Sequence, residues 1–208
     1  MNISFKNKRI LITGAGQGIG RDLALRLSKF NGTVIALSKT ASNLDSLKKE
    51  DPTIETVAVD LADWEATRNA VKKVLPIDML VNNAGVACLA PFLQQTEQHF
   101  DLTMTINVKS MFNVSQVVAE DLIKRKASGK LGPHNIRVNA VNPTVVLTAM
   151  GKLGWGDPEK ARSMTEKIPL GRFAEVDEVI DPIVYLLSDR SSMINGVALP
   201  IDGGFLAT

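Results

Sequence analysis

The chain has 208 residues, 45% of them apolar and 22% charged, with a net charge of +2. That length predicts one domain with a good core, and a near-balanced charge without a basic cluster argues against a nucleic-acid partner. A single cysteine, Cys88, excludes an intramolecular disulfide and suits a reducing compartment. No run of about 18 apolar residues is present to span a membrane. Met1 to Arg9 is short and polar and lacks the apolar stretch of a secretory signal, so a cytoplasmic protein is expected, with a mitochondrial address as the lesser alternative.

Arg9 to Thr13 is a short apolar run that feeds glycines, which predicts a buried strand. From Ile19 to Phe30, the apolar residues Ile19, Leu23, Leu27 and Phe30 keep helical spacing. Asn31-Gly32 closes that helix, with the glycine suited to the left-handed cap. Strands follow at Thr33 to Leu37, Glu55 to Val59 and Met79 to Val81. Helices lie between them at Asn43 to Glu50 and Trp64 to Leu75. This alternation implies a Rossmann-type, doubly wound parallel sheet of the α/β class.

A long helical region runs from Thr96 to about Lys126, with Ile106, Met111, Val114, Val117, Val118 and Leu122 on its apolar side. Ile136 to Val141 reads as a strand, Lys160 to Lys167 and Val176 to Ser188 as helices, and Val197 to Ile201 as a final strand. Leu153 and Trp155 fall in a candidate lid after Thr148, or serve only in packing. There is no repeat and no linker. Ala127-Ser128-Gly129-Lys130 is the one irregular junction.

Thr13-Gly14-Ala15-Gly16-Gln17-Gly18-Ile19-Gly20 carries the chemistry. Gly14, Gly18 and Gly20 have the spacing G-x3-G-x-G. Glycines let the backbone turn tightly after a strand and approach a pyrophosphate, and the following helix offers free N–H groups to the anion. A plain tight turn is the alternative. At the end of the second strand, a carboxylate would hold the ribose 2′-hydroxyl of NAD. Here Leu37-Ser38-Lys39 supplies a hydroxyl and a cation, which suit the 2′-phosphate of NADP, unless Lys39 is merely a solvated surface lysine.

These motifs, with Asn82-Asn83-Ala84-Gly85, Asn107 and Asn142 to Thr148, make the chain resemble the short-chain dehydrogenase/reductase family over nearly its whole length. Within that family it is most similar to the tetrameric carbonyl and L-xylulose reductase group. The resemblance implies NADP(H) held by Thr13, Gly14, Gln17, Gly18, Ile19, Gly20, Ser38 and Lys39. It places Asp60 and Leu61 at the adenine ring, Asn83, Ala84 and Gly85 along the central strand, and Pro143, Thr144, Val146 and Thr148 at the nicotinamide. Asn107 is implied as the catalytic asparagine that kinks its helix and positions a water. A small carbonyl or sugar substrate, no metal and a homotetramer are implied with it.

Two departures stand out. Gln17 replaces a lysine that close relatives often carry for the 2′-phosphate. The family's catalytic Ser and Tyr-x-x-x-Lys have no match: the one tyrosine, Tyr185, is followed four residues later by Asp189. A strand, loop and helix of roughly 30–40 residues, about one supersecondary unit, are missing near 130/131 from a single domain spanning 1–208. The resemblance implies an NADPH-dependent carbonyl reductase. The alternative is an inactive NADP-binding variant or an assembly partner of a full-length reductase, and a third reading is a product that does not fold stably. Tyr185 reads as a core or half-buried aromatic, and His99 and His134 as surface residues. Losing an internal strand exposes the core, unless Ile136 to Val141 moves beside Val81 and closes the sheet.

Overall fold

The runs Ile10-Leu11-Ile12 and Val34-Ile35-Ala36-Leu37 are continuous apolar stretches, as strands covered on both faces require. They form β1 (Arg9–Thr13) and β2 (Thr33–Ser38), parallel and in register from Arg9↔Thr33 to Thr13↔Leu37. The computed structural model describes residues 3–126 and 136–207. They fall into two units, Met1–Asn135 and Ile136–Thr208. The junction near 130/131, with Ser128, Lys130 and His134, lies outside the described residues.

In the first unit, β1 leads into α1 (Gly18–Lys29), which buries Gly20, Leu23, Ala24 and Leu27. After β2 come α2 (Ala41–Glu50), β3 (Glu55–Ala58), α3 (Trp64–Lys73) and β4 (Met79–Val81). The sheet order is β3-β2-β1-β4, all parallel. Ile10, Leu11, Ile12, Leu23, Leu27, Ile35, Leu37 and Leu47 are wholly buried. Each such side chain contributes about 1.5–3 kcal/mol of burial. Asp63 caps α3 by accepting from the Ala66 N–H at 2.9 Å, a contact worth about 1 kcal/mol.

The helix closure differs from expectation. Asn31, with φ of 64°, takes the left-handed position, and Gly32 does not. Gly32 is needed for space: a Cβ there would come within 2.9 Å of Ile10 Cδ1 and 3.0 Å of the Leu27 carbonyl oxygen. An asparagine tolerates the left-handed region because its side chain is short and polar.

The long helical region is interrupted. α4 (Glu97–Met104) passes into a π-helical turn, Thr105–Lys109, and then into α5 (Ser110–Lys126). Val114, Val117, Val118 and Leu122 are buried as expected, but Met111 is 45% exposed beside an exposed Phe112. The ring of Phe112 stacks on Trp64 with centroids 6.4 Å apart. The π turn shifts the phase of the apolar stripe, so a single period cannot describe both sides of it. His99 is half-buried rather than on the surface, and its Nδ1 is buried without a hydrogen-bond partner among the described residues.

The second unit begins with β5 (Ala140–Pro143) and continues through α6 (Ala149–Trp155), α7 (Pro158–Thr165), α8 (Val176–Leu187) and β6 (Ala198–Ile201). β5 pairs with β6, parallel, from Ala140↔Ala198 to Pro143↔Ile201. The expected strand from Ile136 therefore starts four residues late. Arg137 instead donates to the carbonyls of Leu186, Ser188 and Ile194. Within the first unit β4 pairs with β1, and within the second β5 pairs with β6. Ala140-Val141-Asn142-Pro143 is a poor central strand, because Asn142 is polar and Pro143 cannot donate to a ladder.

Glu178 fastens the start of α8. Its carboxylate accepts from Arg172 at 2.6 and 2.7 Å and from the Glu175 N–H at 2.8 Å. The Arg172 fork, then that N–H, draws the Glu178 carboxyl down to about 2. An unfolded glutamate titrates near ~4.3. The contribution is therefore complete above that value and is lost as the pH falls towards 2. The melting temperature of E178Q should fall less steeply than that of the wild type between pH 4.5 and 2, as followed by circular dichroism. Parallel slopes would sink this assignment.

A dinucleotide cradle and an incomplete catalytic set

The strand–turn–helix at β1–α1 is braced from β4. The Thr13 hydroxyl accepts from the backbone N–H groups of Asn83 and Ala84, both at 3.1 Å. Asn83 Nδ2 returns hydrogen bonds to the Thr13 and Gly14 carbonyls at 3.0 and 3.3 Å. Gly14 has a φ of 66°, and a Cβ on it would sit 2.7 Å from Ala84 Cα. A Cβ on Gly20 would collide with Asn83 Nδ2 and lie 2.6 Å from the Gly14 carbonyl oxygen. Backbone thus packs on backbone at this turn, and only glycine fits.

Gln17 stands before α1 with an extended backbone, and its side chain caps none of the first-turn N–H groups. No acid stands in that turn. A twelve-residue helix therefore presents an uncapped, positive N-terminus at a narrow glycine turn, and this fits the pyrophosphate of a dinucleotide. Gly16, absent from the expected site residues, also belongs here. A Cβ on it would lie 2.7 Å from Ser38 Oγ and 3.1 Å from Asn43 Cβ. Its signal was the alternation of Gly14, Gly16, Gly18 and Gly20.

Ser38 and Lys39 close β2, beside the end of β3. Ser38 lies opposite Ala58, and the Val59 N–H donates to the Ser38 carbonyl at 3.0 Å. This register brings Lys39 Nζ to 2.7 Å from Asp60 Oδ2. No acid occurs between Leu37 and Thr40 in sequence, yet one is present in space. Leu61, next to it, is buried.

Asn107 lies inside the π turn, where the Ser110 N–H reaches back to the Thr105 carbonyl. Its amide accepts from the Val86 N–H at 2.8 Å and donates to the Val86 carbonyl at 2.9 Å. Both halves of the amide are thus engaged in holding the segment after Gly85. π turns of this kind recur at functional sites. In the second unit, Pro143 ends β5, and the Thr144 N–H donates to Ile201. Val146 is buried and bridges to Ala174, and the Thr148 hydroxyl caps α6 through the Gly151 N–H at 3.1 Å. Gly151 was also missed: a Cβ there would strike the Val146 carbonyl oxygen. Trp155 packs edge-on to Phe173 at 5.8 Å, whereas Leu153 is 80% exposed. Tyr185 is 38% exposed on α8, so it is not a core residue.

The sequence pattern of the short chain dehydrogenase family matches residues 8–131, more than half of the chain. The chain belongs to the short-chain dehydrogenase family. A second pattern, described as enoyl-(acyl carrier protein) reductase, matches residues 122–206. This short-chain dehydrogenase is 47% identical to the L-xylulose reductase of Bos taurus over 244 aligned positions that take in the whole of both chains. It is 43% identical to carbonyl reductase (NADPH) 2 of Sus scrofa, again over both whole chains. It is also similar to a solved structure from Beutenbergia cavernae, assigned as an NAD(P)-dependent gluconate 5-dehydrogenase with bound NADP. That similarity has a TM-score of 0.89 and 26% identity and covers 99% of each chain. The Bos taurus alignment has 244 positions and the short-chain dehydrogenase 208 residues, so 36 positions hold no residue of it. That deficit falls within the 30–40 residues expected from the motif order.

Proposed function

We propose that this short-chain dehydrogenase is an NADPH-linked reductase of small carbonyl compounds, dicarbonyls and L-xylulose among them. The observation that carries the reading is full-length identity of 43–47% to reductases named for L-xylulose, D-erythrulose and NADPH-dependent carbonyl reduction. The glycine turn and the Ser38–Lys39 corner support it. The cofactor, when bound, supplies a hydride to the carbonyl carbon. On this reading Thr13, Gly14, Gln17, Gly18, Ile19 and Gly20 cradle the pyrophosphate, and Ser38 and Lys39 meet the 2′-phosphate. Asp60 and Leu61 border the adenine, Asn83, Ala84 and Gly85 line the strand end, and Pro143, Thr144, Val146 and Thr148 hold the nicotinamide end. Asn107 positions the segment after Gly85 and belongs to the catalytic set. We take residues 1–208 as one domain whose missing 36 positions belong near 130/131.

The test is NADPH binding and oxidation by the purified chain. Fluorescence titration should show NADPH bound, and absorbance should show slow consumption with diacetyl or L-xylulose. Binding without any consumption would support the second reading, a cofactor-binding partner of full-length reductases. That reading rests on the sequence alone, which holds no Tyr-x-x-x-Lys pair. Phe100, Met104, Met111 and Phe112 leave exposed apolar surface along α4 and α5, which fits a homo-oligomer, a tetramer on the family pattern. Sedimentation of the same preparation would read it. Among the described residues, no helix is long and apolar enough to cross a membrane. A cytoplasmic site is part of the proposal, and cell fractionation reads it.

A further inference from the structure

We propose that Asp60 sets the cofactor preference of this chain by competing with the 2′-phosphate of NADP for the ammonium of Lys39. The inference rests on the NADP reading above and goes beyond it, because it gives the neighbouring strand a share in discrimination. The geometry supports it in three ways. First, Asp60 is fixed and Lys39 is not. Asp60 Oδ1 accepts from the Ala62 N–H at 3.0 Å, and its carbonyl accepts from the Asp63 N–H and the buried Thr67 hydroxyl. The carboxylate therefore holds Oδ2 towards Lys39, whose side chain is 74% exposed on a flexible stem.

Second, the carboxylate is charged at neutral pH. The hydrogen bond from Lys39, followed by that from the Ala62 N–H, holds its carboxyl below the usual value. A 2′-phosphate arriving at Lys39 thus meets a cation already matched by the Asp60 carboxylate. Third, Arg21 of α1 is committed elsewhere. Arg21 donates to the Asn43 carbonyl, to Ser46 Oγ and to Glu50 Oε2, the last at 2.7 Å. Gln17, in the phosphate turn, carries no charge.

The pair is solvent-exposed, and pairs of that kind are worth up to about 1 kcal/mol, close to a fivefold change in a binding constant. Wild type, D60N, K39A and the double variant would be titrated with NADPH and NADH by fluorescence. Asparagine keeps an oxygen for the Ala62 N–H and so preserves the turn. K39A leaves the Asp60 turn untouched, which keeps the test open if D60N folds poorly. D60N should raise the NADPH-to-NADH affinity ratio about fivefold, K39A should lower it, and adding D60N to K39A should change it little. An unchanged or lower ratio in D60N, with NADPH still bound, overturns the role of Asp60 alone. So does the same gain from D60N in the K39A background. Binding of neither dinucleotide by the wild type overturns the cofactor reading, and the role of Asp60 falls with it.

Discussion

On the proposal that the 36 unmatched positions belong near 130/131, inserting them there from the Bos taurus relative should raise the rate of NADPH oxidation with diacetyl by about 10²–10⁴-fold over the 208-residue chain. That factor is the usual worth of a positioned general acid. Hydride delivery to a carbonyl carbon leaves charge on the oxygen, which needs a proton or a hydrogen-bond donor to be stabilised. The chain has one tyrosine, Tyr185, with Asp189 rather than a lysine four residues on. Tyr185 sits partly exposed on α8. Y185F should therefore leave the slow rate of the 208-residue chain as it is. A restored chain no faster than its parent, at equal NADPH occupancy, would sink the argument.

The same restoration bears on stability. The second edge of β4 has no strand partner among the described residues. Met79, Leu80 and Val81 are only half-buried, whereas Ile10, Leu11 and Ile12 are wholly buried. A parallel strand is stable when covered on both faces and paired on both sides. The restored chain should melt at a higher temperature than the parent.

G14A and G20A should each weaken NADPH binding and destabilise the fold, G14A by about 2–5 kcal/mol and G20A by about 1–3 kcal/mol. At Gly14 an alanine would pay for left-handed geometry, about 1–2 kcal/mol, and would overlap Ala84 Cα at 2.7 Å, which adds about 1–3 kcal/mol. At Gly20 the intruding methyl would displace Asn83, whose amide braces the Thr13 and Gly14 carbonyls. Either shift moves the turn that must lie against the pyrophosphate. G171A is the control. Its φ is also left-handed, at 70°, but nothing lies within 4 Å of the added Cβ, so its cost is about 1–2 kcal/mol and NADPH affinity should hold. Denaturant unfolding and fluorescence titration measure both quantities. G14A with wild-type affinity would refute the account of the turn.

Much of the first unit was legible because its signals are local. The apolar runs of β1 and β2 and the alternating glycines each state their structure within a few residues, and β1 was read to the residue. Elsewhere the local signal was weak or misleading. α6 was not foreseen because Ala149–Trp155 holds two glycines, and its start depends on the Thr148 cap. The π turn was invisible because it is a change in hydrogen-bond register, not in residue type.

By itself, the sequence determined the α/β class, the nucleotide turn and the absence of the phenol–lysine pair, since each follows from which residues stand at short, countable spacings. Only the tertiary structure decided that Asp60 faces Lys39, that Asn107 spends its amide on Val86, and that β5 joins β6. Those outcomes depend on strand register and on which edges find partners. Register joins residues about twenty or more positions apart, and no spacing within a single segment encodes it.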